Sequence, residues 1–388
     1  MRDVHDPTTV TPIRFDGVID ADGHILEPPA LWEDYIEAPL RNRALRVRIN
    51  DDGLEYLELD GAPSPSHRPG ILSELGRTND SELGGPARRY LDELPYGSMD
   101  PAERMVLLNH EHLDAAILYP SIGIMWEADT DDVELIQAHC RAYNRWIADF
   151  CRDSHGRLVP IAHLSLSDPA AAATELQRAV DDGCCGAFIG SWTHNRKAPG
   201  HPVHDQVWQV AQDLNVPISI HPTVGPADLR PKLFRGVLMR DYSPHLHMGR
   251  DNVRQAFTTF FDYATFDRFP TLTVVALESG AGWIGHTLDR LDELHAMHGK
   301  RAELKLKPSE YFTRQCYISC DPAERTIGAM MQLYGADRFF WASDYPHPDH
   351  SIDYLRQMET LVDSLDASAS VALLGANVAR CYQITTTL

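Results

Sequence analysis

The chain has 388 residues, 43% hydrophobic and 23% charged, which is ample material for one large core and excludes a disordered or collagen-like chain. Its 35 Lys and Arg face 56 Asp and Glu, a net charge of -21 whose field repels phosphate backbones and anionic bilayers and argues against nucleic-acid or membrane partners. The longest apolar stretch, Ala115 to Trp126, is broken by Pro120 and falls short of the roughly 20 residues a bilayer demands. No apolar signal core opens the sequence, and the seven cysteines form no Cys-x-x-Cys pair, so a reduced, cytoplasmic protein is expected.

In chain order, short β-type runs ending in polar residues alternate with amphipathic helical patterns. The candidate strands are Val18 to Asp22, Ala115 to Tyr119, Leu158 to His163, Gly186 to Ser191, Pro217 to His221, Leu272 to Glu278, Arg314 to Ser319 and Phe339 to Asp344. Between them lie helical patterns over Val133 to Phe150, Ala170 to Val180, Trp283 to Met297 and Ile352 to Val362. Asp100-Pro101-Ala102-Glu103 and Asp321-Pro322-Ala323-Glu324 each predict a helix start, with Asp as cap, Pro at the first position and Glu reaching back.

Eight β/α units in succession predict a parallel (β/α)8 barrel, one domain over 1–388, rather than a doubly wound sheet. Two insertions interrupt the rhythm. The first, about 41–100, is a cap bearing a β-hairpin, Leu45 to Ile49 against Leu54 to Leu59 around Asn50-Asp51-Asp52-Gly53. The second, 222–252, follows the fifth strand and carries Arg230, His245 and His247. Those three, with Trp192 after the fourth strand, are candidate contacts for a small, anionic substrate, although a basic loop could equally offset an acidic surface.

Residues i and i+2 of a strand share a face, so Asp22 and His24 point together at the end of the first strand, with Asp20 deeper. A capped turn would look the same. The fifth strand, however, ends at His221 and the eighth at Asp344, and strand ends 1, 5 and 8 converge in a barrel. Candidate metal ligands are therefore Asp22, His24, His221 and Asp344, with Glu278 at the end of strand six, Glu27, and His347 in the eighth loop. Glu27 could instead hold its turn and His347 its loop backbone, while His163 and His194 are candidates for extra ligands.

Four segments, Asp20-Ala21-Asp22-Gly23-His24-Ile25-Leu26-Glu27-Pro28, the strand-end His221, Ser343-Asp344-Tyr345-Pro346-His347 and Leu374-Gly375-Ala376-Asn377-Val378-Ala379-Arg380, together resemble the amidohydrolase-related family that includes aminocarboxymuconate semialdehyde decarboxylase. The resemblance implies a (β/α)8 barrel with divalent metal at its C-terminal mouth, carries ligand roles onto Asp22, His24, His221 and Asp344, and suggests a homodimer. Two positions depart from the commonest family pattern: Asp22 stands where His is frequent, and Leu277-Glu278-Ser279-Gly280-Ala281-Gly282 stands where a catalytic His precedes glycines.

Carboxylates crowded at one site raise each other's pKa unless cations neutralise them, and oxygen-rich ligation shifts preference from zinc toward iron or manganese. The expectation from these departures is a dinuclear non-haem iron, or iron–manganese, monooxygenase that uses O2, with Glu278 bridging the metals and Glu278, His221 and Asp344 catalytic. The alternative is a mononuclear zinc or manganese hydrolase or non-oxidative decarboxylase. A barrel that has lost its chemistry and only binds is a third reading, against which the convergence of Asp22, His24, His221 and Asp344 speaks.

Overall fold

The computed structural model describes residues 5–76, 89–92, 94–226, 251–298, 304–347 and 351–385. The strands in chain order are β1 (Ile19–Ile25), β2 (Arg46–Ile49), β3 (Glu55–Leu59), β4 (Ala62–Pro63), β5 (Ala115–Pro120), β6 (Leu158–Pro160), β7 (Ala162–His163), β8 (Ala187–Gly190), β9 (Ile218–His221), β10 (Val274–Ala276), β11 (Cys316–Cys320) and β12 (Phe339–Trp341). β1, β5 and β6 pair in parallel, as do β7 through β12 in chain order. Only Ile161 separates β6 from β7, so the two are halves of one strand, the first bonded to β5 and the second to β8.

The ring closes just beyond β12, where the Asp344 N–H donates to the Asp22 carbonyl at 2.9 Å and the His24 N–H donates to the Tyr345 carbonyl at 2.8 Å. The fold is the (β/α)8 barrel that the alternating pattern predicts. Its strands are buried along their full lengths, as parallel strands covered by helices must be. The first insertion begins as the expected hairpin, with β2 antiparallel to β3 and β3 to β4.

The helical patterns become Val133–Cys151, Pro169–Asp181, Trp283–His298 and Tyr354–Val362. Asp132 and Asp168 cap the first two by accepting main-chain N–H bonds from Leu135 and from Ala170 and Ala171. Asp100 likewise caps Pro101–Glu111, although Glu103 takes the Gly97 N–H rather than reaching back to its cap. The second predicted start does not form. The helix begins at Ile327, and Glu324 instead accepts the Ala281 and Gly282 N–H groups at 2.8 and 2.5 Å. Two neighbouring amides of another loop offer that carboxylate more than one cap amide does.

β1 runs to Ile25, three residues past its predicted end, because a bulge between Asp20 and Gly23 advances it three residues against two of β5. Gly23 makes this possible: a Cβ there would lie 2.8 Å from Asp20 Oδ2 and 2.9 Å from Arg104 Nη2. Among the described residues no helix is long and apolar enough to cross a membrane.

Candidate metal centre and active site

The extended end of β1 carries Asp22 and His24 into the barrel mouth, where both side chains are buried. His24 Nε2 lies 3.6 Å from Asp22 Oδ1 and 3.1 Å from Asp344 Oδ1. His221, the last residue of β9, places Nε2 at 3.7 Å from Asp22 Oδ1 and 3.3 Å from Glu278 Oε2. Asp344 follows β12 and lies 2.9 Å from His347 Nδ1. Donor atoms of Asp22, His24 and His221, and of His24, Asp344 and His347, lie within 4.8 Å of one another in each group.

Both imidazoles of the strand ends are oriented by main-chain carbonyls. His24 Nδ1 is 2.9 Å from the Pro120 oxygen and His221 Nδ1 is 2.8 Å from the Pro222 oxygen. These bonds assign the proton to Nδ1 and turn the Nε2 lone pairs inward, the arrangement a metal-binding histidine requires. The Asp22 oxygens, His24 Nε2 and His221 Nε2 are buried without a hydrogen bond among the described residues, a costly state for polar atoms unless a cation meets them.

Burial, then the nearby charge of His347, lowers the His24 pKa to about 4, and burial followed by His24 lowers that of His221 to about 3. Burial, then the charges of Asp344, Asp20 and Asp321, pushes the Asp22 carboxyl far above the usual carboxylate range. Bare lone pairs beside crowded carboxylates suit a divalent cation, which neutralises the repulsion directly.

Asp20 orients this set from below, accepting the Ser343 N–H at 2.9 Å and its hydroxyl at 2.5 Å. Arg104 Nη1 donates to the His24 carbonyl at 3.1 Å. Glu278 and Asp344 adopt positive φ, 43° and 54°, a strained conformation for residues with a Cβ and one that concentrates at functional sites.

Glu27 stands apart from the donors. Its oxygens accept the main-chain N–H groups of Ser121 (3.1 Å), Ile122 (2.8 Å) and Gly123 (2.7 Å). It therefore holds the turn after β5, the alternative that the sequence left open for it. His347 does face the cluster, with its Nε2 2.9 Å from Ser121 Oγ. His163 and His194 gather around a different carboxylate, at 3.3 and 3.6 Å from Glu127, with Phe188 stacked on His163 at 4.5 Å and meeting His221 edge-on at 6.0 Å.

Trp192 follows β8 with its Nε1 buried and without a hydrogen bond among the described residues, and a Cβ on Gly225 would lie 3.2 Å from its ring. Arg230, His245 and His247 lie outside the described residues. Sequence reasoning missed Ser121, Glu127, Arg104 and Asp321. Only Asp321, directly after β11, carried a usable signal: a carboxylate at a strand end.

Residues 104–384 match the family model described as Amidohydrolase. The chain belongs to the amidohydrolase family. It is 26% identical over 279 residues, 68% of this chain and 83% of the relative, to gamma-resorcylate decarboxylase of Rhizobium sp. (strain MTP-10005). An amidohydrolase from Mycobacterium avium subsp. paratuberculosis K-10 superposes with a TM-score of 0.77 at 17% identity, covering 95% of this chain and 99% of that one. The 5-carboxyvanillate decarboxylase of Novosphingobium aromaticivorans, solved with manganese and 4-hydroxy-3-methoxy-5-nitrobenzoic acid, gives 0.67 at 18% identity, covering 95% and 96%.

The amidohydrolase barrel is thus an enzyme scaffold. The relatives overturn the expected iron-dependent monooxygenase. Two of the three are decarboxylases, and the manganese complex among the neighbours pairs the fold with a divalent metal. Glu27, which the dinuclear expectation took as a possible further carboxylate for a second cation, accepts three main-chain N–H groups.

Proposed function

We propose that this amidohydrolase removes the carboxyl group of a small aromatic acid at a single divalent cation, manganese or zinc, held by Asp22, His24, His221 and Asp344. The observation that carries this reading is the convergence of the bare Nε2 atoms of His24 and His221 on the bare carboxylate of Asp22. The relatives' names, gamma-resorcylate decarboxylase and 5-carboxyvanillate decarboxylase, support the reaction class. When bound, the cation supplies Lewis acidity to the substrate's oxygens.

The chain's own residues fix the donors and handle the proton. Carbonyl bonds from Pro120 and Pro222 hold the imidazoles in register, so little reorganisation accompanies binding. Decarboxylation exchanges a C–C bond for a C–H bond: the ring carbon takes a proton, the bond to the carboxyl carbon breaks, and its electron pair stays on the ring as CO2 leaves. Glu278, at the rim and 3.3 Å from His221 Nε2, is the group placed to hand over that proton and recover one from solvent.

The test is CO2 release from 2,6-dihydroxybenzoate and related hydroxybenzoates by protein loaded with one equivalent of Mn2+ or Zn2+, under air and under argon. Release at equal rates in both atmospheres is expected. No release from any hydroxybenzoate at full metal loading would overturn the reading.

A further inference from the structure

Arg104 is 2% exposed, a buried cation in the first turn of helix Pro101–Glu111. Burying a guanidinium is costly unless acceptors meet it, and here the acceptors are main-chain carbonyls. Nη1 donates to the His24 oxygen at 3.1 Å and to the Gly97 oxygen, near the end of the first insertion, at 3.4 Å. The guanidinium lies over the Tyr345 ring, with Cζ 5.1 Å from its centroid.

The bond to His24 sets a side-chain direction. Planar peptide units leave a residue two soft dihedrals, so holding the units on both sides of its Cα fixes where its Cβ points. For His24 the preceding unit is held by the Tyr345 oxygen, which accepts the His24 N–H at 2.8 Å. The following unit is held by Arg104. For Asp22 the two holds are Asp20 Oδ1, which accepts its N–H at 3.3 Å, and the Asp344 N–H, which meets its carbonyl at 2.9 Å. Gly23, between the two donors, lets both clamps approach: a Cβ there would lie 2.8 Å from Asp20 Oδ2 and 2.9 Å from Arg104 Nη2. A carboxylate and a guanidinium thus close on the space where a side chain is missing.

We propose that Arg104 is a positioning residue for the metal: by holding the His24 carbonyl it fixes the direction in which His24 presents Nε2, and through the same Nη1 it ties the end of the cap insertion to the donor cluster. The inference rests on the reading of Asp22 and His24 as metal ligands, and not on the reaction proposed for the site.

Arg104→Met removes the donor and keeps an unbranched stem, whereas Arg104→Lys keeps the charge but ends one bond short of Nη1. Arg157→Met is the matched control, because Arg157 also serves main-chain carbonyls, those of Leu113 and Asp114, at the opposite end of β5 from Pro120. Mn2+ affinity is read by competition against a fluorescent chelator, ligand geometry by the visible absorption of the Co2+-loaded protein, and the fold by urea unfolding without metal. Both Arg104 variants should bind Mn2+ roughly 10–100-fold more weakly, Arg104→Met the more so, with shifted Co2+ bands. Arg157→Met should lower the urea midpoint and keep wild-type affinity and bands. If Arg104→Met does not fold, Arg104→Lys decides alone. Wild-type affinity and bands in either Arg104 variant would overturn the assignment, and so would an equal loss of affinity in Arg157→Met. A wild-type protein that binds neither ion overturns the reading of the donors, and the role of Arg104 with it.

Discussion

The imidazole rings of His24 and His347 stack with centroids 3.8 Å apart and face the same atom, Asp344 Oδ1, at 3.1 and 2.9 Å. Two stacked cations would repel, which together with burial keeps His24 neutral. His347 thus shapes the electrostatics of a donor it does not bond.

Replacing His347 by Phe keeps the stacked ring and removes both nitrogens. Mn2+ affinity should fall roughly 10–100-fold, the range for residues that orient metal-binding groups, with an unchanged far-UV spectrum. Competition against a fluorescent chelator measures it, and wild-type affinity would remove His347 from the site.

Glu27 offers a sharper test because it meets three donors. Burial pushes its pKa up to about 7 against the pull of those amides. In Glu27→Gln one oxygen becomes an NH2 group facing main-chain N–H donors, so stability should drop by about 1–3 kcal/mol. Urea unfolding of the metal-free variant reads the loss, and an unshifted midpoint contradicts the clamp.

Strain at Glu278 predicts a trade. Glu278→Gly accepts φ 43° without a Cβ penalty, so the metal-free protein should gain up to about 1 kcal/mol while turnover is lost. A variant that is both less stable and fully active would refute strain and role together.

His139 supplies a pH dependence remote from the metal donors. Its Nε2 accepts the Leu45 N–H at 2.9 Å and its Nδ1 faces the Leu135 carbonyl at 2.8 Å, while burial lowers its pKa to about 4. The unfolded chain therefore takes up this proton first. Stability is full above the unfolded value near 6.5 and falls as pH drops toward 4, by an amount approaching about 3 kcal/mol. In His139→Gln the decline between pH 6.5 and 4 should flatten; equal slopes would assign it elsewhere.

The strand-end donors were legible because a barrel gathers its strand ends, so Asp22, His24, His221 and Asp344 could be placed together from spacing alone. Glu324 was misread and Glu27 left with two readings for one shared reason. A carboxylate's partner is whichever amides the fold turns toward it, and those lie 94 to 96 residues away for Glu27 and 42 to 43 for Glu324. Local spacing carries no trace of either. The β1 bulge was hidden likewise, since its extra residue shows only against the register of β5.

The seam between the ends of β12 and β1 is tied by the main chains of Asp22, His24, Asp344 and Tyr345, so the clasp of the barrel and its donor cluster are one object. Asp22 and Asp344 lie about 320 residues apart in the chain. During vectorial synthesis at about 5–20 residues per second, the first donor waits on the order of tens of seconds for the last. A chain synthesised only as far as β11 therefore holds an open ring without Asp344, and the donor cluster is assembled only after β12 has been made.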